Sequence, residues 1–229
     1  MSLDAAQSHH ARDVLRLVVG DMVELFDDAG NLSAGKILST QPAVTVRVGV
    51  LQAAQVAGLR WTIASAIPKG PRVDWMIEKL AELGTDAFIP LAAERSVVLP
   101  EGTGKRQRWE RLAAEASKQS RRRGVMKIAP LTKVPEAINQ LSADGVGWYL
   151  STAAGTRPAS QTVAELIERG TSRATLFIGP EGGWSEKEVE AFDRAGLTGV
   201  ALGATILRVE TAALCVACLM AAIVAPSRL

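Results

Sequence analysis

"LFIGPEGGWSEKEVEAFDRAG", residues 176–196, starts as an apolar run, breaks into a loop of Gly, Pro and Glu, and resumes as an amphipathic helix. The run "ATLFI" that leads into it is short, continuously apolar and partly branched or aromatic, the pattern of a strand buried on both faces. Downstream, Ser185 and Glu188 have the spacing of a capping box, in which a hydroxyl accepts from one free amide and a carboxylate from another. Val189, Phe192 and Ala195 then supply the expected buried stripe, and Gly196 stands where a C′ residue belongs. The loop Gly179-Pro180-Glu181-Gly182-Gly183 therefore lies at the carboxyl end of a strand, where open α/β sheets bind ligands.

Helix N-termini favour anions, so phosphate is the first ligand to weigh. The loop has no Gly-Lys-Ser/Thr and no G-x-G-x-x-G spacing, and Glu181 puts a carboxylate where a phosphate would sit. A neutral or cationic ligand held by backbone groups fits better. A plain tight turn fits the loop equally well, and the loop alone does not separate the two.

The whole chain narrows the choice. Its 229 residues allow one large domain or two small ones, and 48% hydrophobic residues suffice for a real core. The longest apolar stretch, "TAALCVACLMAAIVAP", is too short and too Ala-rich for a membrane span and reads as a buried helix. No signal peptide is read at the start, so a cytoplasmic protein without membrane partners is expected. Cys215 and Cys218 are a lone pair at i, i+3 on that helix, a packing pattern, and no metal is expected.

The net charge of +2 conceals an asymmetry: from Lys105 to Lys127, nine Lys/Arg stand against Glu110 and Glu115. Arg108, Arg111, Glu115, Lys118 and Arg122 fall on one helical stripe, beside an apolar stripe of Leu112, Ala113 and Ala116. A solvated face is the ordinary reading of such a run. Arg121-Arg122-Arg123 has no acidic neighbour, however, and favours RNA contact.

Two regions follow. Residues 1–68 hold a short helical pattern, "HHARDVLRL", then strand-like runs around an Asp-Asp-Ala-Gly-Asn turn, then "AVTVRVGVL" and "LRWTIASAI", and read as a small β-rich module. From 69 to 229 helices ("RVDWMIEKLAELG", "RQRWERLAAEASKQSRRR") alternate with strands ("DAFIPLAA", "GWYLST", "TLFIGP", "GVALG"), which implies a mostly parallel sheet.

Taken together, "HHARDVLRLVVGD", "AIPKGPRVDWMIEKLAELG", "IPLAAERSVV", "RWERLAAEASKQSRR", "IGPEGGWSEKEVEAF" and "LGATILRVETAAL" resemble the bacterial 16S rRNA uridine-N3 methyltransferases, the RsmE-like branch of the SPOUT superfamily. The strings run in family order over nearly the whole chain. The resemblance implies a PUA-like RNA-binding β-barrel, followed by an α/β SPOUT methyltransferase domain with a C-terminal trefoil knot. It implies a homodimer, S-adenosylmethionine as cofactor, and 16S rRNA within the 30S subunit as substrate.

By the same resemblance the cofactor pocket has three walls. They are Ile178 with Gly179, Pro180, Glu181, Gly182 and Gly183; Leu202, Gly203, Ile206, Leu207, Arg208 and Thr211; and Leu150, Ser151 and Thr152. A cationic sulfonium without phosphate removes the objection raised by Glu181. Arg208 is the candidate for stabilising the uracil anion, and Glu210 for accepting the N3 proton or orienting Arg208, unless the two form a structural ion pair. Thr211 is expected to cap the last helix. Arg95, Ser96, Arg108, Arg111, Lys118, Gln119, Arg121, Arg122 and Arg123 are the candidate RNA contacts. His9 and His10 match a family His-His and read as packing or capping.

Three departures stand out. "MSLDAAQ" lacks the family's Arg-rich first strand, which implies a barrel short of that strand. Ala204-Thr205 replaces a common Pro-Arg, and "SRRRGVMKIAP" replaces a Gly-Arg and Val-Pro pattern. The rival readings are a SPOUT methyltransferase acting on another atom, such as a ribose 2′-hydroxyl, an RNA-binding protein without catalysis, and a phosphate-handling enzyme.

Overall fold

The structure, a computed structural model, describes residues 1–27, 31–53, 59–99, 103–122, 124–142 and 144–224. The chain divides into two compact units, Met1–Val56 with Arg123–Val125, and Ala57–Arg122 with Met126–Leu229.

The smaller unit opens with α1 (Ala5–His9), capped by Asp4, whose carboxylate accepts the Gln7 amide at 2.7 Å, and continues into a π-helical turn over His10–Val14. His9 and His10 are exposed, and His9 Nδ1 lies 2.7 Å from Asp13 Oδ2, so neither histidine packs in the core. Strands β1 (Met22–Phe26), β2 (Leu32–Ser39) and β3 (Thr45–Val48) form an antiparallel sheet in the order β1-β2-β3. Part of the turn expected between β1 and β2 falls on residues 28–30, outside the described residues. Strand β2 alternates as a half-buried strand should: Ser33, Gly35 and Ile37 face inward. Gly35 is required there, because a Cβ would lie 2.5 Å from Val46 Cγ1. Ala11, Ile37, Val44 and Val46 form the core, with Leu3, Leu17, Val23 and Leu25 packed against it.

Residues 1–3 extend this sheet's ladder along β3. Met1 and Val46 exchange backbone hydrogen bonds at 2.9 and 2.8 Å, and the Leu3 amide donates to Val44 O at 2.9 Å. Ser8 Oγ fastens the join, accepting the Val44 amide at 3.1 Å and donating to Leu3 O at 3.3 Å.

The larger unit runs β4 (Arg60–Ser65), α2 (Arg72–Glu82), β5 (Ala87–Ala92), α3 (Thr103–Gln119), β6 (Lys127–Ile128), β7 (Thr132–Lys133) and α4 (Val134–Asn139). It continues with β8 (Gly145–Leu150), β9 (Arg157–Pro158), α5 (Ala159–Glu168), β10 (Arg173–Ile178), α6 (Glu186–Arg194), β11 (Thr198–Ala201) and α7 (Val209–Val224). The sheet order is β6-β5-β4-β10-β8-β11-β9, with β7 also on β5, and every pairing is parallel. Strand β10 thus sits between β4 and β8, with Ile178 opposite Ser65 and Phe177 opposite Tyr149.

Here the sequence reading is corrected in one respect. Residues 60–65 read as part of the small module, yet they form β4, inside the large sheet. Five of its six residues are at least half-buried, on both faces, and only a sheet with helices on both sides can bury a strand in that way. One face packs Ala64, Ile89, Leu91, Tyr149 and Phe177 with Val134, Ala137 and Ile138 of α4 and Phe192 of α6. Phe177 and Phe192 are fully buried, each contributing on the order of 1.5–3 kcal/mol. Gly147 admits Leu197 into this layer, since a Cβ would lie 2.7 Å from its Cγ.

Other readings are refined. Helix α2 buries Met76, Ile77, Leu80 and Ala81, with Val73 only half-buried. In α6, Phe192 is buried and Gly196 takes φ +73°, but Ala195 is exposed and Glu188 is buried. Helix α7 buries Val209, Ala212, Ala213, Val216, Ala217 and Met220, whereas Cys215 is half-buried and Cys218 exposed, so the cysteines lie off the core face. No described helix is long and apolar enough to cross a membrane.

Candidate functional site

The order of the sheet collects the loops that follow β4, β5, β10, β8 and β11 along one edge. The glycine loop after β10 is built tightly. Gly183 takes φ +70° and donates its amide to Pro180 O at 2.8 Å, closing a turn, and Ser185 starts α6 with the complete capping box. Glu188 does more than cap. Its Oε2 accepts the Ser185 amide at 2.9 Å and its Oε1 accepts the Glu94 amide, also at 2.9 Å, which ties the loop after β10 to the loop after β5. Both oxygens of this buried carboxylate are thus committed to backbone amides.

Arg95 braces the same loop from outside, donating from Nη1 to Gly182 O at 3.0 Å. A Cβ on Gly182 would press on Arg95 Cβ at 3.3 Å, and one on Gly179 would meet the Trp184 ring at 3.0 Å. Trp184 Nε1 donates to Leu150 O at 2.9 Å, and the Ser151 amide donates to Val200 O at 2.9 Å. The glycine loop, the end of β8 and the end of β11 are therefore linked by direct hydrogen bonds. Beneath them Tyr149 stacks on Phe192 at 4.6 Å, and burial first, then Asp193, pushes its phenol above the ordinary range.

The expected cofactor walls are thus neighbours. Ile178 is a buried strand end, Pro180 is half-buried, and Glu181, Gly182 and Gly183 are exposed on the loop. Pro180 and Glu181 line a cleft of about 20 Å³ with Ile67, Lys69, Ser96 and Val209. Ser151 Oγ accepts the Ala153 amide at 3.1 Å, and Thr152 is exposed beside it. Leu202 and Leu207 are half-buried, while Gly203 and Ile206 are exposed. Thr211 is exposed inside α7 rather than at its cap, because the helix already begins at Val209.

The two candidate catalytic residues do not pair with each other. Arg208 is exposed, and its side chain has no ion pair among the described residues. Glu210 is buried, its Oε1 accepts from Arg72 Nη1 at 3.0 Å, and its Oε2 has no protein partner among the described residues. The reason is geometric: Glu210 lies in the first turn of α7, packed against α2, and Arg72 opens α2.

The basic segment divides as well. Arg122 points inward. It donates to Ala81 O and Thr85 O at the end of α2, stands 3.8 Å from Asp86, and burial lowers its pKa. Arg108 is bound to Asp74 at 2.7 Å. Arg111, Lys118, Gln119 and Arg121 are exposed, and the three cations have no ion pair among the described residues. Arg121 holds φ +53° just past the helix end, a position that ordinarily takes glycine. Ser96 Oγ accepts the Ala93 amide at 3.2 Å, and Arg123 lies outside the described residues. Sequence reasoning missed Arg72, Trp184 and the second bond of Glu188. The stretches "AIPKGPRVDW" and "EGGWSEKE" carry these residues, but their partners are set by the tertiary fold.

Known proteins share this arrangement. The RNA methyltransferase domain family matches residues 57–221 and the RNA methyltransferase PUA domain family matches residues 3–48. The ribosomal RNA small subunit methyltransferase E of Bacillus subtilis is 30% identical, over 93% of this chain and 86% of its own length. That of Mycobacterium tuberculosis is 29% identical over 92% and 82%. Among solved structures, a probable rRNA methyltransferase from Porphyromonas gingivalis superposes with a TM-score of 0.82 at 28% identity, covering 99% of this chain and 94% of that one. Ribosomal RNA small subunit methyltransferase E from Neisseria gonorrhoeae, bound to S-adenosyl methionine, gives 0.78 at 28% identity, covering 97% and 91%. With a mostly parallel sheet, an N-terminal PUA domain and matches along nearly its whole length, the chain belongs to the ribosomal RNA small subunit methyltransferase E family of RNA methyltransferases.

Proposed function

We propose that this protein methylates N3 of a uridine in 16S rRNA, with S-adenosylmethionine as donor. The observation that carries the reading is the hydrogen-bonded cluster of the glycine loop, the end of β8 and the end of β11. It offers backbone groups and the exposed carboxylate of Glu181, a donor set suited to a cation, and the relative bound to S-adenosyl methionine shares the fold. Gly203 and Gly183 leave open space where a Cβ would stand, so a bent ligand can approach the backbone there.

The cofactor, when bound, supplies an electrophilic methyl group. The protein's part is to hold the uracil in line with it and to handle one proton. The uridine N3 imide proton must leave before or as the nitrogen attacks. Arg208, exposed and unpaired among the described residues, is assigned to stabilise the uracil oxygens as negative charge develops. Glu210 is committed through Oε1 to Arg72, so its unpartnered Oε2 is the candidate acceptor for the proton. Arg111, Lys118 and Arg121, with the PUA domain, are assigned to RNA, whose target base must be unstacked to be reached.

The half-buried and exposed side of α7, with Leu214, Cys215, Cys218 and Leu219, supports a homodimer built on that helix. A C-terminal trefoil knot, a domain division between the PUA-like barrel and the methyltransferase region, and action in the cytoplasm on the 30S subunit complete the proposal. Methyl transfer from labelled S-adenosylmethionine to 30S subunits lacking the modification, alongside naked 16S rRNA, tests it with mass-spectrometric mapping. Label on uridine N3 is expected, with 30S preferred. Label on another atom would overturn the base assignment, and absence of transfer would overturn the enzyme.

A further inference from the structure

A cavity of the methyltransferase unit lies away from these loops, at the opposite, amino-terminal edge of the sheet. It holds about 340 Å³, enough for a small ligand, and is flanked on the α4 side by Ala137, Gln140 and Leu141. Two rows of side chains from adjacent strands enter it. Arg60 stands opposite Arg173, and one pleat further Thr62 stands opposite Thr175, so all four share one face of the β4–β10 pair.

Like charges directly opposite on neighbouring strands repel. The one carboxylate lining the cavity, Asp86, is already engaged: it meets Arg60 Nε at 3.3 Å, the Trp61 amide at 3.0 Å and Arg122 at 3.8 Å. Arg173 donates to Ser142 Oγ at 2.9 Å, and the carboxylate near it, Asp144, lies outside the cavity lining and accepts from Ser172 Oγ at 2.8 Å. Lys127, on the same rim, has no ion pair among the described residues. The cavity thus carries an excess of positive charge over a floor with two threonine hydroxyls, whose side chains have no hydrogen-bond partner among the described residues.

We propose that this cavity is a second ligand site, which binds a phosphate group between Arg60 and Arg173, with Thr62 and Thr175 as neutral donors and Lys127 at the rim. The phosphate belongs either to an RNA backbone or to a small phosphorylated molecule. The site is separate from the methyl-transfer loops, which lie past the carboxyl ends of the same strands.

Calorimetric titration of the full-length protein with inorganic pyrophosphate, in the presence of saturating S-adenosylmethionine, tests the site. Saturable binding is expected, weakened at least tenfold by Arg173→Gln and at least threefold by Thr175→Val, with cofactor affinity and melting temperature unchanged. A 12-nucleotide RNA that displaces pyrophosphate assigns the phosphate to a backbone; failure to displace it assigns it to a small molecule, and both uphold the site. Absence of pyrophosphate binding, or binding equal in both variants and the wild type, would overturn it.

Discussion

Arg72 and Glu210, 138 positions apart, meet at 3.0 Å and join the first turn of α2 to the first turn of α7. The pair binds the helix after β4 to the helix that carries the candidate catalytic loop. Glu210 is buried and keeps one oxygen without a protein partner, so Arg72 is its principal counter-charge. Arg72→Ala is expected to lower stability by about 2–3 kcal/mol, through the carboxylate left uncompensated. Glu210→Gln should cost less, as it leaves no buried charge, while removing methyl transfer if Oε2 takes the proton. Urea unfolding beside single-turnover kinetics separates the two effects.

The double use of Glu188 gives a graded expectation. Ser185→Ala removes one cap bond of α6 and should cost about 1 kcal/mol. Glu188→Ala also orphans the Glu94 amide and should cost more, about 2–4 kcal/mol from two unsatisfied amides. Because it unties the loops after β5 and β10, it should weaken cofactor binding as well, measurable by calorimetry. Equal stability losses in the two variants would mean that the Glu94 bond contributes nothing.

Gly179 is placed against the Trp184 ring, which in turn holds Leu150 O. Gly179→Ala must push that ring by a few tenths of an ångström and loosen two expected cofactor walls at once. The expected result is cofactor affinity reduced about tenfold, or about 1.4 kcal/mol, with the melting temperature little changed. Gly203→Ala meets open space and should be tolerated by the fold.

The basic segment should separate into stability and affinity. Arg122→Ala leaves Thr85 O without its donor, removes a side-chain donor from Ala81 O, and is expected to destabilise by about 1–3 kcal/mol. Arg111→Ala, Lys118→Ala and Arg121→Ala should leave stability unchanged and each lower the salt slope of RNA binding by about 1. Arg121→Gly is expected to relieve the positive φ and raise stability by about 0.5–1 kcal/mol while losing the same RNA contact. Filter binding across a salt series, with thermal melts, reads both.

Arg208→Ala tests the electrostatic assignment. With no ion pair to lose among the described residues, stability should hold, and the rate should fall by roughly 10²–10³ as expected for loss of one donor to a developing anion. Retention of full kcat would remove Arg208 from the chemistry.

What the sequence made legible is local. The capping box, the buried strand before it and Gly196 after it depend on residues within about two helical turns, and the structure contains them. Features that depend on distant partners were not legible. "LRWTIAS" looks like any buried strand, and only its partners 25 and 113 residues away place it in the large sheet. Arg122 shares a stripe with Arg111 and Lys118, yet α2 closes over it where the helix ends. Arg208 and Glu210 are two apart, a spacing equally compatible with a catalytic role and with an ion pair, but the start of α7 turns Glu210 toward Arg72.

The position of β10 between β4 and β8 has a consequence for biosynthesis. A nascent chain emerges amino end first, and until residue 178 is out, β4 and β8 lack the strand that belongs between them. Closing so long a loop is slow, and two apolar strand edges stand unprotected meanwhile. Translation speed and chaperone occupancy, more than native stability, should therefore govern the yield of functional protein.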